Sequence, residues 1–115
     1  MLIPRPPIEE QREIESWLGL IVEAATTSPE LALEVAECAR LIKGYGDTLK
    51  RGAANYHLIE MHAIRPALAG HIPVGQAIDA IASARTAALV DPDGESLARC
   101  LADIDSQSAR RIAAE

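Results

Sequence analysis

Arg40-Leu41-Ile42-Lys43-Gly44-Tyr45-Gly46-Asp47-Thr48-Leu49-Lys50-Arg51-Gly52 is a corner between two helices. Upstream, Leu31, Val35, Cys38, Ala39 and Ile42 recur at the spacing of one helical face. Arg40 and Lys43 lie in the last turns, where cations complement the negative end of the helix dipole. Gly44 and Gly46 then stop the helix, as glycines do just past a C-cap. Asp47 or Thr48 is expected to cap the next helix through its side chain. That helix carries Leu49, Ala53, Tyr56, Ile59 or Glu60, Ile64 and Leu68, and Pro66 should kink or end it. Gly52 falls inside it. A glycine there is about 1 kcal/mol less favourable than Ala, so the position predicts close approach of another backbone and, with Ala53 and Ala54, a tight crossing.

Three more helices follow on either side. Residues 1–7 contain three prolines and read as an arm or linker, and residues 8–115 as one helical domain. A first helix runs from about Ile8 to Thr26 or Thr27, with Ile14, Trp17, Leu18, Ile21, Val22 and Ala25 as its predicted inner face. Ser28-Pro29-Glu30 is a start signal for the second helix: a capping hydroxyl, a proline suited to the first turn, and an acid at the positive end. Gly70-His71-Ile72-Pro73 is a loop. A fourth helix spans about Val74 to Leu89, with Ala77, Ile78, Ile81, Ala82 and Leu89 inward. Asp91-Pro92-Asp93-Gly94-Glu95 reads as a second cap-then-proline start. The helix it opens carries Leu97, Cys100, Leu101 and Ile104 and frays or continues toward Arg110-Arg111. No segment alternates with the period of two that marks a strand. The predicted fold is all-α, about five helices in an antiparallel bundle or array.

Composition agrees and narrows the function. Apolar residues are 49% of the chain but aromatics only 3%, which suits helices packed closely through Ala, Leu, Ile and Val. With 11 basic and 17 acidic residues the net charge is −6, which disfavours nucleic acid and anionic membrane as partners. No run approaches the ~20 apolar residues that span a bilayer, and the proline-broken start does not read as a signal peptide. A cytoplasmic protein is expected, with Cys38 and Cys100 as buried free thiols.

Motifs of catalysis are missing. His57 and His62 are five apart, whereas helical zinc pairs want four. Glu34 and Glu37 share a face, but no Glu-x-x-His accompanies them. There is no nucleophile elbow and no phosphate-binding glycine loop. What stands out is charge at the corner: four of the eleven basic residues fall between Arg40 and Gly52. Two readings stay open for Arg40, Lys43, Gly44, Tyr45, Gly46, Asp47, Thr48 and Arg51. In one they build a corner, the bases pairing with Glu37 and Asp47. In the other they contact a ligand or a partner. A capping Asp47 would occupy the amides that an anion needs.

Ala36-Glu37-Cys38-Ala39-Arg40-Leu41-Ile42-Lys43-Gly44-Tyr45-Gly46-Asp47-Thr48, followed by Arg51-Gly52 and Asn55, resembles the C-terminal helical domain of indolepyruvate ferredoxin oxidoreductase-type proteins. There the domain follows a pyruvate/ketoisovalerate oxidoreductase gamma-type domain. The resemblance extends to the Trp17 helix, the Leu31–Val35 helix and the Asp91–Gly94 turn. It departs at Leu49, where many relatives are expected to carry His; a proton-transfer or ligand role of that His is absent here. The resemblance implies an accessory, non-catalytic domain in 2-oxoacid oxidation. Thiamine diphosphate and iron–sulfur clusters are implied for the parent enzyme and none for this chain. The implied partners are the gamma-type domain or other subunits, with a homo-oligomer as an alternative. A helical interaction module without redox chemistry is the competing reading.

Overall fold

The computed structural model describes residues 8–42 and 44–114, with side-chain surroundings for 11–42 and 44–107. The expected arm at residues 1–7 lies outside the described residues. Six α-helical segments occur, with no strand among the described residues: α1 Ile8–Thr27, α2 Pro29–Glu37, α3 Gly46–Ile59, α4 Arg65–Leu68, α5 Val74–Val90 and α6 Glu95–Ala114. A π-helical turn, Glu60–Ile64, joins α3 to α4 into one long rod. Counted as rods, the helices number five, as the sequence predicts.

Only Ser28 separates α1 from α2, and it turns the chain by capping. Its Oγ accepts the Leu31 amide at 3.2 Å, and Pro29 takes the first helical position. The two helices fold back as a hairpin. Trp17 Nε1 donates to the Val35 carbonyl at 2.8 Å, pinning the middle of α1 to the end of α2. α5 and α6 form a second hairpin, tied at its open end by Gln76 Nε2 donating to Gln107 Oε1 at 2.9 Å. The α3–α4 rod packs against both hairpins, and α2 meets α5 directly. Leu31, Val35, Tyr56, Ile59, Ile64, Ile81 and Leu97 are fully buried where these units meet. Ala24, Ala63, Ala77 and Ala84 are buried too; their small side chains let the helices approach closely.

The inner face of α1 differs from the expected one. Leu20 and Ala24 are buried, with Trp17 and Ile21 packed against the core. Ile14, Leu18 and Val22 are 41%, 48% and 69% exposed, and Ala25 is exposed as well. The helix is apolar over a wider arc than one neighbour can cover, and the Trp17 bond to α2 selects which part turns inward. On α5 the inner positions are Ala77, Ile81, Ala84 and Ala88, whereas Leu89 stays 42% exposed.

Pro66 neither ends the rod nor leaves it regular. It has no N–H for the His62 carbonyl, and its ring needs room there. The π turn supplies that room, with the Arg65 N–H reaching back to the Glu60 carbonyl. The rod stops at Leu68, where Gly70 and His71 donate to the Ala67 and Pro66 carbonyls at 3.1 and 2.9 Å, a Schellman closure.

The α5–α6 turn also corrects an expectation. Pro92 does not open α6; it lies in the four-residue link, 91–94, before Glu95. Asp91 is the C-cap of α5 and reaches over this link, its Oδ2 accepting the Ser96 amide at 3.0 Å. That backbone bond holds the Asp91 carboxyl below the ordinary aspartate range.

Candidate functional site

The helix entering the corner is shorter than its apolar stripe. α2 ends at Glu37, the chain tightens into a 3₁₀ turn at Cys38–Arg40, and Leu41 closes it. Gly44 and Gly46 have φ of +89° and +58°, a region costly for any side-chain-bearing residue. Between them Tyr45 is extended and forms the N-cap of α3. Asp47 does not play the expected role. It lies inside the first turn, and no side chain caps the helix at Tyr45. Two positions past the N-cap, its carboxylate is exposed.

Gly52 explains how the corner closes. A Cβ at this position would lie 1.8 Å from the Leu41 carbonyl oxygen. The predicted close approach is real, but the partner is the carbonyl that ends the 3₁₀ turn rather than a crossing helix. With Gly52 seated on Leu41, the end of α2 and the start of α3 are held together.

The eight predicted site residues divide. Arg40, Thr48 and Arg51 line one open cleft of about 330 Å³, together with Leu41, Gly52, Asn55, Ala88, Leu89 and Pro92. Tyr45 is outside it and 91% exposed. Gly44, Gly46 and Asp47 are exposed at the bend, and Lys43 lies outside the described residues. Arg40 pairs with Glu37 at 3.3 Å, as expected, whereas Arg51 pairs with Asp93 on the α5–α6 link at 3.4 Å. Both pairs face water, where such contacts contribute little.

Asn55 was overlooked as a cleft residue. It is buried, and its Nδ2 donates to the Pro92 carbonyl at 3.2 Å, joining α3 to the link before α6. A signal for it exists: Thr48, Arg51, Gly52 and Asn55 follow three-and-four spacing on one helix face. Ala88, Leu89 and Pro92 give no local signal, because distant packing brings them there.

A second cleft of about 300 Å³ lies on the other flank of α3, lined by Glu13, Ile42, Leu49, Lys50, Ala53, Ala54 and His57. Leu49 serves as an apolar wall here. Glu13 Oε1 meets His57 Nε2 at 2.6 Å, while its Oε2 is buried without a partner.

The remaining titratable groups are parts of the packing. Glu34 bonds Arg85 at 2.9 Å and Glu37 bonds Arg40, so those two acids do not act together. His62 pairs with Asp105 on α6 at 2.9 Å, away from His57. Glu60 is buried, with Oε2 on Arg65 Nε at 2.7 Å and Oε1 unpartnered. Tyr56 is fully buried, and burial, then the nearby Glu60 carboxylate, pushes its hydroxyl well above the ordinary tyrosine value. The hydroxyl lies beside that carboxylate without a hydrogen bond of acceptable geometry. Burial raises the Cys38 thiol to about 11 and lifts Cys100 as well; both are free. Among the described residues, no three His, Cys, Asp or Glu side chains are placed to hold a metal ion, and no helix is long and apolar enough to cross a membrane.

Residues 7–62 match a family described as one of unknown function, DUF6537. The match covers the first two helices, the corner and most of the α3 rod. No curated protein and no solved structure matches the chain.

Proposed function

We propose that this chain is an accessory, non-catalytic domain of an indolepyruvate-type 2-oxoacid:ferredoxin oxidoreductase. The corner from Arg40 to Arg51 docks on the gamma-type domain or on another subunit. The observation that carries this reading is Tyr45. A 91% exposed aromatic ring is set between two left-handed glycines, on a bend fixed by the Gly52–Leu41 contact. An exposed aromatic on a turn that also carries arginines has the residue types enriched in binding hot spots. The resemblance of Ala36–Thr48, Arg51-Gly52 and Asn55 to such domains supports the identity of the partner. In this reading the parent enzyme is cytoplasmic, and thiamine diphosphate and the iron–sulfur clusters belong to its other domains. Cys38 and Cys100, one buried and one half-buried on separate helices, do not fit a cluster, which takes about four thiolates.

The test is made in the complete oxidoreductase. Tyr45→Ala and Arg51→Ala should weaken subunit association and lower turnover while leaving the unfolding temperature of this domain unchanged. Normal association and turnover in both variants would reduce the corner to a structural turn.

A second reading, a self-associating helical module without redox chemistry, is favoured by the outward stripe Ile14, Leu18 and Val22 on α1, with Leu33 of α2 also 59% exposed. Sedimentation of the wild type and of Leu18→Glu distinguishes the two. A dimer abolished by Leu18→Glu supports self-association, and a monomer throughout removes it.

A further inference from the structure

We infer that the cleft between α3 and the end of α5 binds a small organic anion, a phosphate or carboxylate group carried on an apolar body. The cleft's volume, about 330 Å³, falls in the range of ligand pockets. Its lining is divided by chemistry. Arg40, Arg51 and the Thr48 hydroxyl supply donors, and Leu41, Ala88, Leu89 and Pro92 supply an apolar wall. Two guanidiniums on one small cleft are unusual in a chain of net charge −6, and guanidinium is the side chain best matched to oxyanions.

Neither arginine is consumed by the fold. Arg40 Nε lies 3.3 Å from Glu37 and Arg51 Nη1 lies 3.4 Å from Asp93. The side chains are 60% and 55% exposed. Both contacts are long, and the Thr48 hydroxyl makes no bond among the described residues. Glu37 and Asp93 act as exposed placeholders that an anion can displace. The expected competitor, Asp47, neither caps α3 nor lines the cleft. The walls are firm: Asn55 is tied to Pro92 on one side, and Gly52 rests on Leu41 at the floor.

This inference does not rest on the parent-enzyme reading, because the isolated chain is the molecule tested. Amide chemical shifts of the ¹⁵N-labelled chain are followed during titration with phenyl phosphate, benzoate and inorganic phosphate. Saturable shifts are expected at Thr48, Arg51, Gly52, Asn55 and Ala88. Phenyl phosphate or benzoate should bind more tightly than inorganic phosphate, because only they fill the apolar wall; the tighter of the two identifies the head group. Arg40→Gln with Arg51→Gln should weaken binding about tenfold or more. Glu37→Gln with Asp93→Asn removes the placeholders and should tighten it about threefold. Far-UV circular dichroism checks that the variants fold. Absence of saturable binding by both organic anions, shifts mapping elsewhere, or equal affinity in the double arginine variant would overturn the inference.

Discussion

A methyl group at position 52 would collide with the Leu41 carbonyl at 1.8 Å, and nothing within 4 Å meets one at position 19. The two glycines sit in helices and make opposite predictions. Gly19→Ala should stabilise the chain by about 0.5–1 kcal/mol, the ordinary helix-interior gain. Gly52→Ala should destabilise it by about 2 kcal/mol or more, since a backbone carbonyl cannot move aside as a side chain can. Thermal unfolding of the pair checks both. Tyr56 gives a third residue-scale case. Its hydroxyl is buried without a bond, so Tyr56→Phe keeps the ring packing and loses only an unsatisfied group. We expect an effect between neutral and about 1 kcal/mol of stabilisation; a loss of that size in denaturant titration would mean that the hydroxyl is bonded to Glu60.

At the scale of elements, local chemistry was legible and long-range choice was not. Ser28 and Pro29 act as read, because a cap depends on neighbours within three residues. Gly44 and Gly46 mark the bend for the same reason. Gly52 signalled a close approach, but not whose backbone approached. The cap lies two residues before Asp47: Tyr45, between two left-handed glycines, takes that position. The apolar arc of α1 is too broad to mark its inner face, and the covered part is the one that carries the Trp17–Val35 bond and packs Leu20 and Ala24. The far wall of the cleft comes from 88–92, which no motif around residue 45 can announce. The Asp91 cap yields a pH prediction. The folded state lowers its pKa through the Ser96 amide, so its contribution is present above the unfolded aspartate value. It fades as pH falls through the depressed folded one. Asp91→Ala should therefore be less stable than wild type at neutral pH, with the gap closing on acidification. Chemical denaturation at several pH values checks this, and a gap that widens in acid would contradict it.

Across the whole molecule, two hairpins and a rod are tied by a few cross-links between units. The firmest charged one joins α2 to α5, where Arg85 Nη1 reaches Glu34 Oε2 at 2.9 Å with side chains only 12% and 18% exposed. Removing one partner leaves the other nearly buried, so Arg85→Ala should destabilise by about 3 kcal/mol or more. The double replacement Glu34→Leu with Arg85→Met should be far milder, since apolar side chains of similar volume commonly replace a buried pair at little loss. Unfolding of both variants separates the bridge from the space it fills. None of these ties involves Tyr45, which leaves the outer surface of the corner free for binding. The buried framework is thus separate from the exposed aromatic. Calorimetric titration of this chain into the gamma-type domain of the proposed parent oxidoreductase, with wild type and with Tyr45→Ala, tests this separation. Saturable binding is expected, weakened about tenfold or more by the substitution at an unchanged unfolding temperature. No binding, or equal affinity in the two proteins, would contradict it.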